Sequence, residues 1–466
     1  KIKTNIMSIR IVFITLIFIP ILSLAQSIAF QRNSELGQGI NLGQFTTTLH
    51  DTTVESYVHH DTSDYAKMKL LGIDHIRIPT GFFFWTDTLA PYEINDTMLL
   101  KLDTIINEIR SYGLKIIIDF HNRVHLLTDT SYIQESNRIA SAWKQIASRY
   151  ANLSPDSTFF EIYNEPYFIS DSTWNYVVKE SIDSIRSVNN NHTLILANNQ
   201  NFIFMYYDGV NISDTNVIFT IHHYLPFIFT HQGSTWLETP LNSTGIPFPY
   251  NSSTMPPIHP SDVGTVWENH YNNYSITGNL NETRNRFITA KRITDSLGVP
   301  IYCGEFGCSN LAPIESRLIW IEGIRELLDS LEIPWAHWNW KTSMFSSFEC
   351  ESCANLDSIS TNNLGYNIFC ALGLENCNLS NFNKSKINKK KISLYPNPGR
   401  SIFTFTFPES IETIISISNI FGKFILEEQI NGNQAKINLS TYRRGIYIAT
   451  VKNEYINQSL ILILTD

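Results

Sequence analysis

A (β/α)8 TIM barrel followed by a small all-β sandwich is the α/β fold class the sequence predicts, and three observations predict it. Between Gly39 and Trp340, runs rich in Val, Ile and Phe alternate with stretches of helical periodicity, the signature of repeated βα units around a parallel sheet. The runs number eight, the count at which such a sheet closes on itself. Beyond Lys391 the pattern changes to two-residue alternation broken by turn residues, as in Phe403-Thr-Phe-Thr-Phe407 and Ile415-Ser-Ile-Ser418, which predicts short strands with one buried face. A content of 43% apolar, 12% aromatic and 17% charged residues excludes disorder, coiled coil and collagen.

Lys1, Lys3 and Arg10 precede an apolar run from Ile11 to Leu24, the length of a signal h-region and short for a membrane span. Ser23 and Ala25 supply small residues at the −3 and −1 positions, so residues 1–25 are expected to be a signal peptide cleaved before Gln26; an uncleaved anchor is the alternative. The predicted strands are Gly39–Gly43, His75–Thr80, Lys115–His121, Phe159–Glu165, Thr193–Ala197, Val217–Tyr224, Pro300–Phe306 and Trp335–Trp340. Helical periodicity marks Thr97–Tyr112, Glu135–Tyr150, Thr173–Val188, Glu282–Leu297 and Ile314–Leu331. These elements make residues 26–378 one barrel domain.

Charge sets off the rest. Residues 379–466 carry a net +5 and the preceding residues −14, for a total of −9. Residues 379–391, which include Asn383-Lys-Ser-Lys-Ile-Asn-Lys-Lys-Lys391, lack apolar periodicity and read as a linker to a domain over 392–466. The barrel has no clustered Lys and Arg to neutralise phosphates, so nucleic acid is excluded as a partner and a neutral polar substrate is favoured. Export places the six cysteines in an oxidising compartment, where disulfides of undeducible connectivity are expected for Cys303, Cys308, Cys350, Cys353, Cys370 and Cys377 rather than a metal site.

The strand ends carry the chemistry. Arg77, Asp119 with His121, Glu165, His222 with Tyr224, Glu305 and Trp338 all fall at or near the C-terminal ends of predicted strands, the face on which barrel active sites are built. Six strands ending this way predict one shared cleft. Glu165 and Glu305 lie on strands across the mouth from each other, and a carboxylate pair is what glycosidic cleavage requires: one acid protonates the leaving oxygen, the other attacks the anomeric carbon or activates water. Glu161 shares the parity of Glu165 but comes earlier, so it is expected inside the barrel as a structural carboxylate.

In order along residues 35–375, the segments Gly39-Ile-Asn-Leu-Gly43, Ile76-Arg-Ile-Pro79, Ile118-Asp-Phe-His121, Asn164-Glu-Pro166, His222-His-Tyr224, Gly304-Glu-Phe-Gly307 and Trp335-Ala-His-Trp338 resemble glycoside hydrolase family 5. The resemblance implies a secreted retaining endo-β-1,4-glucanase with Glu165 as general acid/base, Glu305 as nucleophile and no cofactor or metal. It implies that Asn164 bonds the sugar 2-hydroxyl, that Arg77 and Tyr224 hold the Glu305 carboxylate, that His121 and His222 line the subsite and that Trp338 forms its floor. Leu394-Tyr-Pro-Asn-Pro-Gly399, Ile420-Phe-Gly-Lys423, Leu439-Ser440 and Gly445-Ile-Tyr447 resemble the C-terminal sorting domain of type IX secretion. That implies passage through the outer membrane by this machinery and a secreted or cell-surface location.

Rival readings stay open at this level. A β-mannan, xyloglucan or mixed-linkage glucan could replace cellulose as the β-linked polysaccharide, and a surface glycan-binding protein without turnover is the alternative of another class. His223 competes with His222, and Trp340 with Trp338; Arg77 could be a structural ion pair of the barrel core. Trp236 and Trp267, on the long loop Thr230–Asn281, and Phe82-Phe-Phe-Trp85 are candidate sugar platforms, with loop anchoring the competing role for both loop tryptophans. Asn122 follows His121 at a place where members of that family differ. No segment demands an oligomer, so a monomer is expected.

Overall fold

A computed structural model describes residues 27–43, 60, 62–121, 127–166, 169–198, 214–341, 344–347, 364–375, 393–397, 399–419, 423–452 and 457–465. The signal segment, the linker, Asn122, Cys350, Cys353 and Cys377 lie outside the described residues.

Eight parallel strands close into a barrel in chain order: β1 (Gln38–Asn41), β2 (His75–Thr80), β3 (Lys115–Phe120), β4 (Thr158–Glu161), β5 (Thr193–Ala197), β6 (Val217–His223), β7 (Ile301–Phe306) and β8 (Trp335–His337). Nearly every strand residue is buried, because helices cover the outer face while side chains fill the interior. The five predicted helices appear at Asp96–Ser111, Tyr132–Arg149, Asp171–Arg186, Leu280–Leu297 and Ile314–Ser330. Three of them are pinned to the barrel by fully or almost fully buried tryptophans. The indole N–H groups of Trp143, Trp174 and Trp320 donate to the carbonyls of Ile162, Ala197 and Leu225, each at or just beyond a strand end.

Several elements carry too short a pattern to be read from the sequence. A helix over Ile28–Ser34 precedes β1 and covers the N-terminal mouth. Its Arg32 donates to the Asn191 carbonyl and Thr193 Oγ1, and its Asn33 donates to the Ile301 carbonyl. Leu36 then joins Ile117, Phe159, Ile195, Ile218, Tyr302 and Ala336 in an apolar plug. Further helices run Thr62–Leu70, Val266–Asn272 and Leu364–Ala371.

Two strands end three or more residues earlier than the apolar runs suggest. β4 stops at Glu161 rather than Glu165; Ile162 and Asn164 still donate their backbone N–H groups to the Ile195 and Phe120 carbonyls, and Glu165 then takes a left-handed backbone (φ 43°). β8 stops at His337, short of Trp340. The cysteine expectation is corrected in part: Cys303 and Cys308 are buried free thiols, whereas Cys370 is disulfide-bonded. Both thiols sit in the packed barrel core.

The long loop holds short helical turns, among them Val266–Asn272, and is tied together by polar bonds. Asp262 accepts from the backbone N–H groups of Asn242 and Ser243 and from the Ser243 hydroxyl. Trp267 is buried, stacks on Phe227 and donates to the Thr239 carbonyl, so it anchors the loop and is no sugar platform. Phe82 and Trp85 are likewise core residues. Trp236 is 62% exposed.

The C-terminal unit is an antiparallel sheet of β9 (Ser393–Tyr395), β10 (Ile402–Asn419), β11 (Phe424–Asn438), β12 (Gly445–Lys452) and β13 (Asn457–Leu464), in the order β11-β10-β12-β13 with β9 also on β10. One half of β10 pairs with β9 and the other with β12, while β11 follows its length. Phe403, Phe405, Ile415, Ile417, Ile437, Ala449, Val451 and Leu462 form its core, the buried half of the two-residue alternation. Among the described residues, no helix is long and apolar enough to cross a membrane.

Candidate active site

The barrel interior changes character along its axis. Above the apolar plug, strand alternation turns Arg77, Asp119, Glu161 and Thr220 inward, and all four are buried. Arg77 organises this layer. Its Nε and Nη2 donate to Glu161 Oε2 and Oε1 at 2.7 and 2.9 Å, Nη2 lies 2.8 Å from Asp119 Oδ2, and Nη1 donates to Asn41 Oδ1 at 3.0 Å. Without these carboxylates a buried guanidinium would be prohibitively desolvated. With them its pKa is raised, since the attraction outweighs the burial that opposes its charge.

The same arginine reaches the mouth. Nη1 donates to Glu305 Oε1 at 2.6 Å and Nη2 to Asn164 Oδ1 at 2.9 Å. Glu305 Oε2 accepts from the Tyr224 hydroxyl at 2.7 Å. Burial, reinforced by the charges of Glu305 and Glu165, pushes the Tyr224 pKa far up, so the phenol stays a donor. His222 Nδ1 lies 2.8 Å from Glu165 Oε1 and 3.6 Å from Glu305 Oε2. Burial alone would lower the His222 pKa, but Glu305 and the Glu165 hydrogen bond raise it. His121 stacks on Trp338 with centroids 5.7 Å apart, and burial lowers its pKa to about 4.

A bulge aims Glu305. Ile221 pairs with Cys303, but the next residue, His222, pairs with Glu305, so Gly304 is an extra residue in β7. Tyr302 already faces inward, and simple alternation would turn Glu305 out toward the helices. Glycine is required there: a Cβ on Gly304 would lie 2.7 Å from Thr220 Oγ1 and 3.0 Å from His222 Nε2. Asn41 Nδ2 holds the bulge by donating to the Gly304 carbonyl. Glu165 is aimed differently, by its left-handed backbone, a strained conformation of the kind that clusters at functional sites.

All eight predicted site residues are thus joined by direct contacts. Arg77 touches Glu305 and Asn164, Tyr224 touches Glu305, His222 touches Glu165, and Asn164 meets His121, which stacks on Trp338. The competitors lie elsewhere: His223 packs between Phe287 and Trp320, and Trp340 is fully buried against Phe369 and donates to Asp64. Glu161 is the buried structural carboxylate. Asn41 and Asp119 belong to the network without having been singled out for a role, although both stand inside the motifs quoted above.

Glu165, His222 and Glu305 each offer an atom within 4.8 Å of the others, the spacing of a possible cation site. Here His222 donates toward a carboxylate, and Arg77 and Tyr224 donate to Glu305, so the acceptor atoms are directed at one another's donors. Such a pair suits acid, base and nucleophile work, with one carboxyl held by cationic and phenolic donors and the other by an imidazole.

A closed βα barrel with two such carboxyls at its C-terminal mouth defines the class of barrel glycoside hydrolases. The chain belongs to the cellulase family, glycosyl hydrolase family 5, whose model matches residues 34–343. The secretion-system C-terminal sorting domain matches residues 393–464, which places the protein on the type IX export route to secretion or the cell surface. The chain is 32% identical over 284 residues to Endoglucanase 3 of Fibrobacter succinogenes, covering 58% of this chain and 42% of that protein. It is 27% identical over 331 residues to Endoglucanase C of Acetivibrio thermocellus, covering 66% and 92%. The structure of an endoglucanase from the hyperthermophilic Thermotoga maritima superposes with a TM-score of 0.60 at 27% identity, over 74% of this chain and 99% of that one.

Proposed function

We propose that the protein is a retaining endo-β-1,4-glucanase that cleaves β-glucan by double displacement, with Glu165 as acid/base and Glu305 as nucleophile. The observation that carries this reading is the proximity of the two carboxylates, which bring oxygen atoms within 4.8 Å of each other. Retention uses carboxyls about 5–5.5 Å apart, whereas inversion needs about 6.5–9.5 Å to admit a water between them. The roles follow from the donors. Arg77 and Tyr224 keep Glu305 charged and oriented for attack on the anomeric carbon, forming a glycosyl–enzyme ester as the aglycone oxygen leaves. Glu165 gives its proton to that oxygen and then takes one from the incoming water, and His222 holds it for both steps. Asn164, fixed by Arg77, is positioned for the 2-hydroxyl, and Trp338 offers an apolar face for the sugar ring.

The printed names of the relatives support glucan as the substrate class. A mannan reading has one observation in its favour: the Thermotoga maritima enzyme, at 25% identity, has also been crystallised with mannotriose. The boundaries 1–25, 26–378, 379–391 and 392–466 are part of this proposal, as is a monomeric enzyme. Release of reducing ends from carboxymethyl-cellulose, barley β-glucan, xyloglucan and glucomannan, together with the anomeric configuration of the first product by NMR, tests it. Retained β configuration with glucan preferred is the expected result. An inverted first product overturns the mechanism, and preference for glucomannan overturns the substrate.

A further inference from the structure

Asp119 has no part in the chemistry just described, yet it is fully buried beneath it. Its Oδ2 lies 2.8 Å from His121 Nδ1 and 2.8 Å from Arg77 Nη2, while Oδ1 is buried without a hydrogen-bond partner. The other nitrogen of His121, Nε2, is 3.5 Å from Asn164 Nδ2, and Asn164 Oδ1 accepts from Arg77 Nη2 at 2.9 Å. The four side chains close a ring.

The donor inventory of this ring admits one assignment. A guanidinium only donates, so the Asn164 atom facing Arg77 is its oxygen, and its NH2 therefore faces His121. Oδ2 of Asp119, already turned to a guanidinium, is an acceptor, so His121 Nδ1 carries the proton. Nε2 is then bare and accepts from Asn164. The two ends of the ring, reasoned separately, require the same tautomer. The low pKa of His121, about 4 through burial, keeps the imidazole neutral, so it has a single N–H to place.

We propose that Asp119 is a positioning residue that fixes the Nδ1–H tautomer of His121 and, through it and together with Arg77, the orientation of the Asn164 amide beside Glu165. One N–H of Asn164 is engaged by His121, leaving its second for the substrate 2-hydroxyl. The inference rests on the functional reading above for its kinetic consequence, but its tautomer is a property of the protein alone. The orphaned Oδ1 makes a specific demand on substitution. In Asp119→Asn the amide oxygen takes the Oδ2 position, because the guanidinium repels an NH2 there, and the amide nitrogen takes the unpartnered position. The acceptor for His121 is kept, while the charge is lost and an amide NH2 fills the unpartnered position.

The test combines 15N NMR of histidine-labelled full-length protein, assigned with His121→Gln, with hydrolysis of barley β-glucan. Wild type and Asp119→Asn should show His121 protonated on Nδ1 alone, and Asp119→Ala, in which only the Asn164 NH2 still favours that form, a mixture of the Nδ1–H and Nε2–H tautomers. Asp119→Ala should lower kcat by about 10- to 100-fold with KM little changed, the range expected when a partner that orients a functional histidine is removed. Asp119→Asn should stay within about 3-fold of wild type, and Asp119→Ala should add less than about 2-fold to Asn164→Ala, as coupled sites do. Asp119→Leu, close in shape and without an acceptor, serves in place of the alanine variant if that does not fold. An unchanged Nδ1–H tautomer in the truncated variant, an asparagine variant as poor as the alanine one, or full additivity with Asn164→Ala overturns the inference. A wild type that releases no reducing ends overturns the functional reading instead, and the tautomer measurement still decides this one.

Discussion

The barrel and the C-terminal sheet bury very different things. The sheet core consists of Phe, Ile, Val, Leu, Ala and one Tyr, the residues that two-residue alternation turns inward. The barrel begins with a similar apolar plug and then, within a few residues along the same strands, buries one arginine against three carboxylates beneath a cluster of histidines. Apolar burial stabilises at about 25 cal/mol per Å² and needs no partner. Buried charge is worth little net and is very costly once a partner is lost. The sheet is therefore built for stability, and the upper barrel accepts a less favourable core to hold charged groups in fixed positions.

The largest effect that sharpens this contrast should come from the two carboxylates. Glu165→Gln and Glu305→Gln should each lower turnover on soluble glucan by about 10²- to 10⁴-fold or more, while circular dichroism stays that of wild type. Arg77→Met comes next, because it leaves Asp119, Glu161 and Glu305 buried without their cation. A destabilisation of at least about 3–5 kcal/mol is expected by denaturant titration, with activity lost as well. Ile417→Ala in the sheet should cost about 2–5 kcal/mol of that unit's stability through the cavity it leaves, with hydrolysis unchanged. If Ile417→Ala impaired hydrolysis as much as Arg77→Met, the division of labour between the regions would fail.

Acid should separate the two regions. All 13 histidines and all nine tryptophans precede residue 379, so tryptophan fluorescence reports the region whose histidines titrate. Burial lowers His75, His223, His231 and His337 to about 3 and His121 and His192 to about 4. Between those values and 6.5 the unfolded chain binds more protons than the folded one, so stability falls as pH falls through that window. Asp119, raised by burial to about 6, and Glu161, also raised, act in the opposite sense but are fewer, and the raised His222 changes stability only above that window. The fluorescence-detected Tm should drop steadily from pH 6.5 to 4. A flat profile would show that the histidines open to water before unfolding. The smallest effect is expected at Trp236, where alanine should leave stability within about 0.5 kcal/mol because the ring is exposed, in contrast to the buried Trp267.

The strands could be read because each is a short apolar run buried on both faces, and His75–Thr80 and Thr193–Ala197 appear with the expected bounds. The helices over Ile28–Ser34 and Thr62–Leu70 could not, being too short to complete a persuasive apolar stripe. The candidate site residues were visible as ionisable or aromatic groups ending apolar strands. Asp119 was visible too, but nothing in its local pattern says that it faces both Arg77 and His121. Trp267 was ambiguous because an aromatic residue in a polar loop reads alike as a platform or an anchor. Its stacking on Phe227 and its bond to Thr239 depend on residues up to 40 positions away.

By itself, the sequence determined the number of strands, the change from barrel to sheet after the lysine-rich stretch, and which side chains reach the mouth, since periodicity and strand-end chemistry are local properties. Only the tertiary structure decided how those side chains are aimed. Alternation alone would send Glu305 outward; the extra residue at Gly304 turns it in, and there Thr220 and His222 leave room only for glycine while Asn41 binds the bulge carbonyl. The left-handed turn at Glu165 and the sharing of Arg77 among three strands have the same origin. A strained backbone or a buried charge persists only when neighbours distant in the chain supply its compensating contacts, and those contacts form only once the barrel has closed.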